Sequence, residues 1–113
     1  MKKSYVLTKS AEADLREITR YTLEQWGAAQ CRTYITDLEQ KADALATGKG
    51  LFKEMNAIMP NLRVALSGKH YIFCLPQQNA LAVILAILHE RMDVVARLKH
   101  RLDLIKAGQG DFP

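Results

Sequence analysis

The sequence has little that would cross-link a small chain or place it in a membrane. Its 113 residues include two cysteines, Cys31 and Cys74, with no Cys-x-x-Cys or His-x-x-x-His pattern. A structural zinc site is therefore not expected, and both thiols are predicted to be buried and free. The longest apolar run, residues 80–88, has nine residues, whereas a membrane span needs about 20. No membrane partner, metal or cofactor is expected.

The N-terminus has no apolar segment of the kind found in signal peptides, although Lys2 and Lys3 follow the first methionine. We therefore expect a cytoplasmic protein. Hydrophobic residues make up 49% of the chain and charged residues 25%, which is ordinary globular composition. The length suits one domain, residues 1–113.

Positive charge is concentrated in the second half of the chain. Lysine and arginine number 16 against 12 aspartate and glutamate residues. Residues 1–48 hold seven of each sign, so the whole excess of four positive charges lies in residues 49–113. This distribution favours an acidic partner, either nucleic acid or a carboxylate-rich protein surface.

Two helical patterns with a short join predict an antiparallel helical hairpin over residues 9–47. Thr8 or Ser10 offers the N-cap. Trp26-Gly27 is expected to end the first helix, and Gly48 and Gly50 the second. Apolar positions recur at spacings of three and four, which places them on one face of each helix. The two predicted stripes are Ala11, Leu15, Ile18 and Thr22, and then Cys31, Ile35, Leu38, Ala42 and Leu45.

The remaining pattern predicts strands and a last helix. Residues 3–7 are typical of a short strand and residues 49–61 of a loop. Residues 62–67 alternate, which predicts a half-buried strand with Leu62, Val64 and Leu66 on its apolar face. Residues 70–75 predict a strand stopped by Pro76, and residues 80–88 one covered on both faces. Asp93 would cap a helix with the stripe Val95, Leu98, Leu102 and Ile105.

This order of elements predicts an α+β fold. It consists of an N-terminal strand, the antiparallel helical hairpin on one face of the sheet, a three-stranded antiparallel meander and a C-terminal helix. The pattern does not place the first strand within the sheet.

Two sets of side chains could carry chemistry. The first lies near strand ends and offers weak candidates for acid–base work on RNA: Arg63, Lys69, His70, Tyr71, His89, Glu90 and Arg91. The second is the basic set on the last helix, which indicates either a solvated face or an electrostatic contact. It comprises Arg97, Lys99, Arg101 and Lys106.

An ordered series of segments resembles the ParE toxins of bacterial toxin–antitoxin systems. It begins with Tyr-Val-Leu-Thr at residues 5–8, continues with Trp26-Gly27, and includes His-Tyr-Ile-Phe-Cys-Leu-Pro at residues 70–76. It ends with Ile-Leu-His-Glu-Arg-Met-Asp at residues 87–93. The resemblance spans roughly residues 5–102.

The resemblance implies a RelE/ParE-type fold and a toxin that inhibits DNA gyrase by stabilising its complex with cleaved DNA. It also implies neutralisation by a ParD-like antitoxin, a role in maintaining a plasmid or genomic element, and contact with DNA only through gyrase or the antitoxin. The family implies no catalytic residues, so none is expected here. The residues expected to contact the target are Arg63, His89, Arg91, Met92, Arg97, Lys99 and Arg101.

Two alternatives stay open. RelE-like ribonucleases, the other branch of the superfamily, use several basic residues on the sheet and a tyrosine near the C-terminus. Arg63 keeps one such position. The late-strand position where those enzymes carry a second arginine looks like Ala86 here, and no tyrosine follows His89. The second alternative is a basic binding module with no toxicity.

Overall fold

The structure, a computed structural model, describes residues 4–106. Predicted features at Lys2, Lys3 and beyond Lys106 lie outside these residues. Residues 4–106 form two helices and five strands in an α+β arrangement. The elements are β1 (Tyr5–Leu7), α1 (Lys9–Thr47), β2 (Lys53–Glu54), β3 (Arg63–Ser67), β4 (His70–Gln77), β5 (Ala80–His89) and α2 (Val94–Lys106).

The helical hairpin is confirmed, with a break of one residue. Inside α1, Gly27 adopts φ 86° and ψ 173°, which is not helical. The Sγ of Cys31 donates to the Thr19 carbonyl at 3.5 Å, whereas 12 residues of continuous helix would separate them by about 18 Å. The halves before and after Gly27 therefore run antiparallel. The cap is Thr8, whose Oγ1 accepts the Ala11 amide hydrogen at 3.1 Å.

Five strands form one sheet in the order β1-β5-β4-β3-β2. The antiparallel meander of β3, β4 and β5 is confirmed. β1 lies beside β5 and runs parallel to it, with Tyr5 opposite Ala82. The prediction of a loop throughout residues 49–61 was wrong, because Lys53 and Glu54 pair with Val64 and Arg63. A strand of two residues is too short to produce an alternating pattern.

β4 also runs further than predicted, through Pro76 to Gln77. The register between β4 and β5 shifts between Leu75 and Gln77. Proline has no N–H to give to a sheet, so it fits at such an irregularity rather than ending the strand.

The sheet is covered on both faces. On one face α1 contributes Leu38 and Leu45 to a core with Ile72 and Ile84. On the other, Leu62 and Phe73 pack with Leu98 of α2. Each fully buried side chain of this size contributes about 1.5–3 kcal/mol. Burial of β5 on both faces is confirmed for residues 82–88, while Ala80 and Leu81 are exposed.

A β-bulge in β5 sets which side chains face each helix. Cys74 lies opposite Ile84 and Phe73 opposite Ala86, which leaves Leu85 as the extra residue. Leu85 and Ala86 consequently both belong to the core beneath α2, while Ile84 and Ile87 face α1.

The predicted faces of β3 were partly wrong. Ala65 and Ser67 are buried, since α1 covers that face, whereas Leu66 is 43% exposed. In α2, the Asp93 cap is confirmed by the bond from the Ala96 amide to Asp93 Oδ1 at 3.2 Å. Leu98 and Leu102 are buried as predicted. Val95 is 39% exposed, and Val94 packs against the core instead.

Candidate target-binding surface

The expected contact residues fall into three groups in the structure. His89, Arg91 and Met92 lie together where β5 ends and the chain turns into α2. Arg97 and Lys99 are exposed on α2. Arg63 and Arg101 are held inside the fold by contacts with α1, described below. We use the name α2 surface for the set His89, Arg91, Met92, Arg97 and Lys99.

The α2 surface wraps around the start of the helix. Arg97 and Lys99 are two residues apart, which places them about 200° apart around the helix axis. They therefore lie on opposite flanks of the buried stripe. Met92, which precedes the helix, is 42% exposed, and Arg91 is exposed beside it. The surface therefore combines an exposed apolar side chain with cations, as many protein-binding surfaces do.

His89 is oriented by its own turn. Its Nδ1 accepts the Arg91 amide hydrogen at 3.0 Å, so the proton of the neutral ring is on Nε2. Its ring lies edge-to-face with that of His70, with centroids 5.1 Å apart. The two imidazoles are brought together because His70 and His89 are directly paired across β4 and β5.

His70 is tied to the hairpin by Tyr34, a contact that the sequence did not reveal. The Tyr34 hydroxyl lies 2.6 Å from His70 Nδ1 and accepts the Lys69 amide hydrogen at 2.9 Å. The pKa of His70 is lowered from 6.5 to about 4, mainly by burial of the ring and to a smaller extent by the neighbouring His89. His70 is therefore neutral at pH 7. Tyr34 is 36 residues from His70 in the sequence, and no local pattern links them.

This imidazole pair does not form a set for RNA cleavage together with the expected arginine. Arg63 lies on β3 opposite Cys74, four residues along β4 from His70, which is about 13 Å of strand. The strand position where a second basic residue was sought, Ala86, is fully buried in the core. A basic side chain at that position would have to displace apolar neighbours in the core beneath α2.

Arg63 has a structural role at the end of the hairpin. Its Nη1 donates to the Leu45 carbonyl at 2.7 Å, and its guanidinium lies 4.9 Å from the centre of the Phe52 ring. The last turn of α1 carries no basic residue, so Arg63 supplies from β3 the positive charge that a helix C-terminus favours. These contacts do not favour Arg63 as a target contact.

Arg101 faces inward as well. Its guanidinium forms a bidentate pair with Asp14 of α1, with Nη1 to Oδ2 at 2.5 Å and Nη2 to Oδ1 at 3.1 Å. The side chains are 19% and 16% exposed. The sequence placed Arg101 on a basic outer face with Arg97, and that placement was wrong because the partner comes from 87 residues away.

The cysteines lie in the core and carry none of this surface. Cys31 and Cys74 are both buried and free, as predicted. Burial raises the pKa of the Cys74 thiol to about 11, although the nearby Arg63 opposes this shift.

Within residues 4–106, no cluster of three or more histidine, cysteine, aspartate or glutamate side chains is arranged to hold a metal ion. None of the helices in this range could span a membrane.

Comparison with known proteins identifies the family. Residues 5–94 match the model of the ParE toxin of type II toxin–antitoxin systems, parDE. The chain belongs to the ParE toxin family. It is therefore the toxin component of a type II toxin–antitoxin system, and its partner is an antitoxin.

Relatives that align with most of this chain support the family. Toxin ParE of Escherichia coli is 54% identical over 99 residues, which cover 88% of this chain and 96% of the relative. Toxin ParE1 of Mycobacterium tuberculosis is 30% identical over 94 residues, 83% of this chain and 96% of the relative. Toxin ParE1 of Caulobacter vibrioides is 28% identical over 96 residues, 85% and 98% of the two chains. These names favour the ParE branch over the RelE branch.

Proposed function

We propose that this ParE toxin arrests growth by binding DNA gyrase and stabilising its complex with cleaved DNA. The observation that carries the proposal is family membership over residues 5–94, together with 54% identity to a curated Toxin ParE. The toxin acts by protein binding and not as an enzyme. It meets DNA only through gyrase or through the antitoxin.

The proposal extends to the setting of the toxin. Residues 1–113 act as one toxin domain in the cytoplasm, without a metal or cofactor. A ParD-like antitoxin neutralises the toxin, and the pair maintains a plasmid or genomic element.

The α2 surface is the proposed contact with the target. Its cations at Arg91, Arg97 and Lys99 are exposed. None of the three takes part in an ion pair described for residues 4–106. Free cations beside an apolar side chain, here Met92, suit an acidic protein surface with an apolar centre. Arg63 and Arg101 are left out of the contact, because their guanidinium groups are already engaged within the fold.

Expression in cells tests toxicity and separates the two branches of the superfamily. We expect induction to arrest growth, and co-expression of the antitoxin encoded beside the toxin to relieve the arrest. During arrest, primer extension on several messenger RNAs should show no new ends phased with codons. Codon-phased cuts would replace the proposal with a ribosome-dependent ribonuclease. Normal growth at high expression of folded toxin would leave only the basic binding module.

Charge reversal maps the contact. Lys99→Glu and Arg97→Glu reverse a charge on opposite flanks of α2, and each should weaken toxicity. Arg32→Glu is the matched control, because Arg32 is an exposed arginine on α1 and is not a member of the α2 surface. Equal effects at all three positions would mean that only bulk charge matters, and the proposed surface would be rejected.

A further inference from the structure

The helix that carries the proposed contact is attached to the protein by few apolar side chains. Within α2, Leu98 and Leu102 are the buried residues, and Val94 and Ile105 are partly buried against the same core. This stripe fixes which face of α2 is buried. Because apolar packing is not directional, it fixes smaller rotations about the helix axis less tightly.

The Asp14–Arg101 pair supplies a directional contact. Each partner makes a further bond to β5. Arg101 Nη1 donates to the Leu85 carbonyl at 3.3 Å, and Asp14 Oδ2 accepts the Ile87 amide hydrogen at 2.9 Å. One carboxylate therefore joins α1, β5 and α2. Planar bidentate pairing of this kind fixes direction as well as distance.

The location of this pair explains why it exists. Within residues 4–106, β1 pairs with β5 at residues 82–84, and no strand continues this pairing along β5 beyond the bulge. The Leu85 carbonyl and the Ile87 amide belong to that edge. Asp14 accepts the Ile87 amide hydrogen, and the Leu85 carbonyl accepts from Arg101 and, at 3.4 Å, from the Thr8 hydroxyl. The other ion pairs described on α1, such as Arg16 with Glu12 and Arg20 with Glu17, join exposed neighbours on one helix and fix no second element.

We infer that Asp14 and Arg101 are positioning residues for toxicity, which hold α2 at the rotation that presents the α2 surface to its target. Arg97 lies one turn before Arg101 and on the same flank, so a rotation of α2 moves Arg97 directly. The inference rests on the proposed function only in requiring that the α2 surface meets the target. It assigns the pair no contact with that target.

Two conservative variants test the inference. Arg101→Lys keeps the charge but loses the bidentate geometry. Asp14→Asn loses the charge but keeps an oxygen that accepts the Ile87 amide hydrogen. The matched control is Arg16→Gln, which breaks the exposed pair with Glu12. All proteins are to be compared at 20 °C, after urea unfolding has established that each is more than nine-tenths folded.

We expect both variants to need about tenfold more toxin for half-maximal growth arrest, which corresponds to about 1.4 kcal/mol. Affinity for the antitoxin should change less than threefold. Amide exchange should speed up in α2 and stay unchanged in β4. A role in stability alone predicts wild-type toxicity at an equal folded fraction, and that result would overturn the inference.

A double-mutant cycle shows whether the pair acts through the surface. If α2 is already misplaced in Arg101→Lys, adding Arg97→Glu should cost less than it does in the wild type. Additive effects would contradict the inference, and so would failure of both conservative variants to fold. Growth arrest is the readout, so the cycle remains informative if the target is not gyrase. Growth arrest by wild type without gyrase-dependent DNA cleavage would reject the proposed target and leave the role of the pair to be decided by the cycle.

Discussion

Replacing Gly68 with alanine should destabilise the protein more than the same change at another glycine of similar backbone conformation. Gly68 has φ +58°, and an added Cβ would lie 2.6 Å from Tyr34 Cε1 and 2.8 Å from its hydroxyl. Gly50 has φ +77° with nothing within 4 Å of the same added atom. The left-handed conformation costs a non-glycine residue about 1–2 kcal/mol at either position.

The difference between the two variants measures the contact with Tyr34. Relieving the clash requires moving a ring whose hydroxyl is bonded to His70 and Lys69, and overpacking of this kind costs about 1–3 kcal/mol. We therefore expect losses of about 1–2 kcal/mol for Gly50→Ala and about 2–5 kcal/mol for Gly68→Ala. Urea unfolding followed by circular dichroism gives both values. Equal losses would refute the argument that an alanine at Gly68 has to displace the Tyr34 ring.

Three further outcomes follow from the same contacts. Arg63→Met should lower the free energy of unfolding by about 1–3 kcal/mol, since it frees the Leu45 carbonyl, while Arg32→Met, measured alongside, should change it by less than about 0.5 kcal/mol. Stability should fall as pH drops from about 6.5 towards 4, because the pKa of His70 is lowered to about 4 in the folded state and the unfolded chain binds the proton first. Partial exposure of the ring limits that loss to about 1–2 kcal/mol. The free energy of unfolding of His70→Asn, measured at both pH values, should change less between them than that of the wild type. In titrated induction, Arg91→Glu should raise the toxin level needed for growth arrest by about tenfold; an unchanged level would remove Arg91 from the contact.

Much of the fold was predictable because its signals are local. The two stripes of α1 and the glycine between them are visible within windows of about 15 residues, and they correctly give the hairpin. The unbroken apolar run of β5 correctly predicts cover on both faces at residues 82–88. The parallel pairing of β1 with β5 joins residues nearly 80 positions apart, and no local pattern reports such a contact.

The site was less predictable for the same reason. Arg97 and Arg101 are equivalent in the helical pattern, yet one is exposed and the other is paired with Asp14. The difference arises at the β5 bulge, which turns the Leu85 carbonyl and the Ile87 amide towards that pair. A bulge adds one residue to an apolar run without changing its composition. The sequence therefore gives no sign of the bulge or of the partner that draws Arg101 inward.

A plasmid cleavage assay with purified gyrase, ATP and this toxin, stopped with detergent and protease, tests the central claim most directly. Linear plasmid should accumulate with the toxin only when gyrase is present. Antitoxin added beforehand should abolish the product, and Arg91→Glu should reduce it while Arg32→Glu leaves it unchanged. Absence of linear plasmid, with toxin from the same preparation folded and bound by antitoxin, would contradict gyrase as the target.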